Sequence, residues 1–108
     1  GTVSVEEVLA LLGEAGVLIL DVREPAEVEK GRITGAVAVP RGLLEFEADP
    51  ASPLHNPALD RAKRVIVTCG SGGRGALASK TLLDMGFADV TNLAGGMKAW
   101  NEAGGPTE

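Results

Sequence analysis

Val65-Ile66-Val67-Thr68-Cys69-Gly70-Ser71-Gly72-Gly73-Arg74-Gly75-Ala76-Leu77-Ala78-Ser79 holds a strand, a turn and a helix start in one run. Val65 to Thr68 is apolar and β-branched, as a strand buried on both faces requires. Gly70, Ser71, Gly72 and Gly73 neither extend that strand nor open a helix cheaply, but they permit positive φ and close backbone approach. From Arg74 onward Ala76, Leu77, Ala78, Leu82 and Leu83 recur at helical spacing, which predicts a helix beginning just past the glycines.

The chemistry follows from this placement. Successive amides of a glycine-rich turn, and the unpaired amides opening the next helix, can converge on one concavity that favours anions. Cys69 stands at the base of that cradle, which stabilises a thiolate. Arg74 ends the turn with a permanent charge and a planar fork of donors suited to a tetrahedral oxyanion. A lone cysteine after an apolar strand is ordinarily a small buried hydrophobe. A packing cysteine does not need three glycines and an arginine behind it, so a nucleophilic sulfur in an anion cradle is the preferred reading.

The rest of the composition narrows the class. A chain of 108 residues with 44% hydrophobic and 23% charged residues reads as one globular domain over 1–108. A net charge of −5 and the absence of tyrosine argue against nucleic acid or an anionic membrane as partner. The single cysteine and the single histidine, His55, offer neither a disulfide nor a cysteine-rich metal site. No apolar run has the length of a membrane span and no signal peptide opens the chain, so a soluble protein is expected, with the cytoplasm as default location for a functional thiol.

Ser4 and Glu7 form a capping-box signal ahead of an amphipathic helix ending near Gly13. Val17 to Leu20 is a short strand closed by Asp21-Val22-Arg23. Glu24 to Lys30 is a short helix with Pro25 in its first turn, on which Glu27 and Lys30 form a solvated pair. Val37 to Val39 is a strand, Gly42 to Glu47 a short helix, and Asp49 to Pro57, with three prolines, a loop in which His55 is solvated. Ala58 to Ala62 is read as one more helical turn. Gly86 stops the helix after Cys69, Asp89 to Leu93 is a strand, and Gly95-Gly96 opens a last helix anchored by Trp100. Short strands alternating with helices predict an α/β domain with a mainly parallel sheet covered on both faces. Ligands of such sheets bind at the carboxyl ends of strands, where Cys69, Asp21 and Arg23 all fall.

Four motifs, Leu20-Asp-Val-Arg-Glu-Pro-Ala-Glu-Val28, Gly31-Arg-Ile-Thr-Gly-Ala36, Val67-Thr-Cys-Gly-Ser-Gly-Gly-Arg74 and Asn92-Leu-Ala-Gly-Gly-Met-Lys-Ala-Trp100, resemble a single-domain rhodanese in content and order. The resemblance implies a three-layer sandwich around a five-stranded sheet and a cysteine that cycles through a persulfide. It implies that Cys69 takes the outer sulfur of thiosulfate, releases sulfite and passes the sulfur to cyanide, a thiol or a protein acceptor. The amides of residues 70 to 75 would hold the donor's oxyanion end, and no metal or organic cofactor is implied. Asp21 and Arg23 match a strand-end pair that holds loops near the site, with Arg41 a weaker candidate to flank the pocket. Arg32 replaces the histidine usual in the family, which predicts an altered local bond. The loop interior has no charged side chain, leaving Arg74 as the cation for thiosulfate. A phosphatase or arsenate reductase of the related fold is the second reading, though its members carry one more residue between cysteine and arginine. A binding module without catalysis is the third.

Overall fold

The computed structural model describes residues 1–108. At its centre is β4, Arg64–Thr68, whose burial is complete from Val65 onward because parallel neighbours flank it on both sides. On one side β2, Val17–Asp21, pairs Leu18 with Val65, Ile19 with Ile66 and Leu20 with Val67. On the other, β5, Asp89–Leu93, pairs Val90 with Val65 and Asn92 with Val67. Outside β2 lies β3, Val37–Ala38, and outside β5 lies β1, Thr2–Val3. The order β1-β5-β4-β2-β3 is parallel throughout and has five strands, as expected. The fifth, β1, had no sequence signal, since two residues carry no periodicity; its pairing with Asn92 and Leu93 defines it.

The period of two along each strand sorts the core into two layers. Leu18, Leu20, Val65 and Val67 face one way and pack with Leu44 of α3, Leu44–Ala48, and with Ala78 and Leu82 of α4, Gly73–Asp84. Ile19, Ile66 and Leu93 face the other way, against Val5 and Val8 of α1, Val5–Leu11, and Met97 and Trp100 of α5, Gly96–Glu102. The result is the expected three-layer sandwich. The capping box of α1 is formed, with Ser4 Oγ accepting from Glu7 N and Glu7 Oε1 from Ser4 N.

Several boundaries differ from expectation. A short helix α2 covers Pro25–Val28, and a 3-10 turn, Arg41–Leu43, precedes α3. No helical turn forms at Ala58–Ala62, because Asn56 Oδ1 accepts from Ala58 N at 3.0 Å and Asp60 Oδ1 from Ala62 N at 2.9 Å. Such side-chain bonds compete with helix formation. His55 is only partly solvated: it is half-buried, with Nδ1 3.0 Å from the Glu47 carbonyl.

From β2 the chain runs outward to β3, returns to β4 on the opposite side of β2, and continues outward to β5. Chain direction therefore reverses between β2 and β4. The crevice at that reversal is bounded by the segment after Asp21 and the loop after Thr68.

Candidate active site

Cys69 leaves β4 at this crevice with 1% of its surface exposed. Gly72, at φ +118°, turns the chain so that its own N–H points back at the sulfur. Gly72 N donates to Cys69 Sγ at 3.1 Å, and Gly75 N, in the first turn of α4, donates at 3.3 Å. The sulfur is thus the acceptor of the cradle that its own loop forms. Gly70 is half-buried, whereas Ser71 and Gly73 are exposed at the turn.

Neighbouring elements hold the loop from behind. Met97 N donates to the Cys69 carbonyl at 2.7 Å and Lys98 N to the Gly70 carbonyl at 3.0 Å. This contact needs glycine at 96, since a Cβ there would lie 2.5 Å from the Cys69 carbonyl oxygen, at a φ of +55°. Asn92, buried on β5, donates from Nδ2 to the Gly72 carbonyl at 3.0 Å. Gly75 is equally constrained, because a Cβ would overlap Asn92 Oδ1.

The guanidinium of Arg74, expected to face an oxyanion, faces Glu27 of α2. Nη1 lies 2.6 Å from Glu27 Oε1 and Nη2 2.9 Å from Oε2, a bidentate bridge across the crevice. Glu27 is therefore not paired with Lys30, a correction of the expectation from local spacing. The hydrogen bonds from Arg74, with that from Glu24 N, lower the Glu27 carboxyl to about 2. The same side-chain bond raises Arg74 above its ordinary value.

Asp21 and Arg23 are a buried pair, as expected. Arg23 Nη2 lies 2.8 Å from Asp21 Oδ2 and Nε 3.0 Å from Oδ1. Arg23 also donates to the Gly31 carbonyl at 2.8 Å and the Glu27 carbonyl at 3.3 Å, tying α2 and the following turn to the strand end. Arg32 has its partner elsewhere. Its N–H and C=O pair with Glu108, and its Nε is 3.7 Å from the Glu108 carboxylate, so it fastens the C-terminal segment and not the Cys69 loop. Arg41 is occupied by Glu45 and Thr81. The largest concavity, about 490 Å³, lies beside α2 against Arg23, Pro25, Val28 and Pro40, and does not include Cys69.

Two supporting residues escaped the reading of the sequence. Glu27 had a signal only in retrospect, as an acid on the short helix that follows β2. Asn92 had a better one: a lone amide in a buried parallel strand requires a partner.

Fold and site together define a class: parallel α/β domains that seat a cysteine in a cradle of amides where the sheet reverses direction. The Rhodanese-like domain model matches residues 4–103, and this chain belongs to that family. It is 33% identical over 90 residues to a sulfurtransferase of Allochromatium vinosum, covering 83% of this chain and 77% of that protein. It is 37% identical over 98 residues to thiosulfate sulfurtransferase 16 of Arabidopsis thaliana, a chloroplastic protein, covering 87% and 82%. Among solved structures, a Rhodopseudomonas palustris protein of unknown function, described as a possible tyrosine phosphatase, superposes with a TM-score of 0.94 at 42% identity, covering 99% and 83%.

Proposed function

We propose that the protein is a sulfurtransferase that moves sulfane sulfur through a persulfide on Cys69. The observation that carries this reading is the pair of amides, Gly72 N and Gly75 N, donating to the sulfur. A thiolate is the attacking species in such chemistry. The Cys69 thiolate attacks the outer sulfur of thiosulfate, the S–S bond breaks, and sulfite leaves with the bonding pair. The persulfide then carries its negative charge on the terminal sulfur, beside the loop whose Gly72 and Gly75 amides already point at Cys69. Cyanide, a thiol or a protein acceptor attacks that sulfur and regenerates the Cys69 thiolate. No proton transfer is required if the thiolate is present from the start, so no general base is needed. The partners are a small anionic sulfur donor, or a protein persulfide, and a thiophilic acceptor. A reducing compartment such as the cytoplasm suits the free thiol.

The test is thiosulfate:cyanide sulfurtransfer by the native chain and by Cys69→Ala, with intact mass after thiosulfate treatment. A gain of one sulfur and thiocyanate formation, both dependent on Cys69, are expected. Absence of both rules out thiosulfate as donor. A cysteine phosphatase is the second reading, favoured by the description of the Rhodopseudomonas relative. Against it stands the short loop, with four residues between Cys69 and Arg74. Hydrolysis of an aryl phosphate dependent on Cys69 would establish it.

A further inference from the structure

A dianionic donor such as thiosulfate calls for a positive side chain at the mouth of the loop, and the arginines named for the crevice are already engaged. Arg74 is held by both oxygens of Glu27, Arg23 is buried on Asp21, and Arg41 is paired with Glu45. Arg32 and Lys80 also have carboxylate partners. The cations outside ion pairs are Lys30, Arg61, Lys63, Arg64 and Lys98. Arg61, Lys63 and Arg64 lie at the amino end of β4, the opposite end from Cys69. Lys30 follows α2 and makes no backbone contact with the loop.

Lys98 differs from all of these. Its own N–H is bonded to the Gly70 carbonyl at 3.0 Å, so its Cα is fixed against the residue that follows Cys69. Its side chain is exposed and has no carboxylate within ion-pair distance. Helical side chains lean toward the helix amino end, which for α5 is the edge of the sheet that carries Cys69. The four-carbon stem of lysine then lets the ammonium range over the surface around that anchored Cα.

We infer that Lys98 supplies the free positive charge that draws the anionic sulfur donor to Cys69, in addition to Arg74, whose charge is offset by its bridge to Glu27. This rests on the sulfurtransferase reading of the site. Arg74 is a positioning residue that ties α4 to α2 through Glu27, while Lys98 sets donor preference in a loop whose interior carries no charge.

Steady-state sulfurtransfer with thiosulfate as the varied donor tests this in the native chain, Lys98→Gln, Lys98→Arg and Lys63→Gln, the last losing the same charge at the far end of β4. Lys98→Gln should raise the thiosulfate KM about three- to tenfold, the size expected for one exposed charge acting on a dianion. Its kcat should change little and its KM should depend less on salt, and Lys98→Arg should restore both. Equal KM values in Lys98→Gln and Lys63→Gln would overturn the inference while leaving persulfide formation on Cys69 intact. Alkylation of Cys69 gives a readout independent of sulfur chemistry. The rate ratio of anionic iodoacetate to neutral iodoacetamide should fall in Lys98→Gln alone, and an unchanged ratio would also overturn the inference. If thiosulfate does not load the native chain, the sulfurtransferase reading fails, and the alkylation ratio still decides whether Lys98 governs the charge at Cys69.

Discussion

Cys69 sits where side chains do little and backbone does most. Its sulfur accepts from Gly72 and Gly75, and its carbonyl accepts from Met97. Substitutions that move this backbone should therefore act as strongly on activity as on stability. Gly96→Ala drives a methyl group into the Cys69 carbonyl at a positive φ. It should cost about 1–3 kcal/mol of stability, as overpacking does, and reduce sulfurtransfer at least about tenfold; urea unfolding and steady-state assay read the two effects. Glu27 allows a prediction about pH. Its folded-state carboxyl titrates near about 2, below the ordinary 4.5, so its contribution is complete above pH 4.5 and is lost as pH falls toward 2. Both partners of the bridge are about 40% exposed, and solvent screening keeps the contribution on the order of 0.2–1 kcal/mol. Urea midpoints measured from pH 7 to pH 2 should show native and Glu27→Gln proteins converging at the acid end. A gap that persists at pH 2 would mean that the ion pair is not the source of the difference.

Elements meet at the loop in a way no single element explains. β4 delivers Cys69, α4 supplies the Gly75 amide, α5 satisfies two loop carbonyls, and β5 reaches across with Asn92 to hold Gly72. Asn92→Leu keeps the volume and removes the bond to the Gly72 carbonyl. A net hydrogen bond is worth roughly 1 kcal/mol, so the midpoint of unfolding should drop modestly. The larger effect should be on kcat, about tenfold, because Gly72 N loses its aim at the sulfur. Normal kcat in Asn92→Leu would show that the loop holds its shape without β5. The helix of Gly73–Asp84, the strand of Asp89–Leu93 and the capping box at Ser4 were legible from periodicity and end signals, which act within a few residues. The strand at Thr2–Val3 was not, because only pairing with β5 makes it one.

Across the whole molecule, stability rests on two apolar layers separated by the sheet. Trp100, fully buried in the α1–α5 layer, also donates from Nε1 to the Pro106 carbonyl at 3.0 Å. The C-terminal segment returns there, with Thr107 bridging to Ile33 and Glu108 pairing with Arg32. Trp100→Ala should cost about 3–5 kcal/mol, measured by thermal or urea unfolding. A smaller loss would mean that the layer collapses onto the vacated volume.

By itself the sequence determined the succession of strands and helices, the seat of Cys69 at the end of a buried strand, and the glycines that let amides turn toward it. Those features depend on local pattern, on the backbone freedom of glycine and on the burial that β-branched runs demand. Only the tertiary structure decided the partners: Glu27 for Arg74, Asn92 for the Gly72 carbonyl, Glu108 for Arg32, and the backbone of Lys98 against Gly70. Arg74 and Glu27 stand 47 positions apart, and Asn92 and Gly72 stand 20 apart. Periodicity is blind at such separations, and the contacts exist because the chain reverses direction between β2 and β4, bringing the ends of both strands to one crevice.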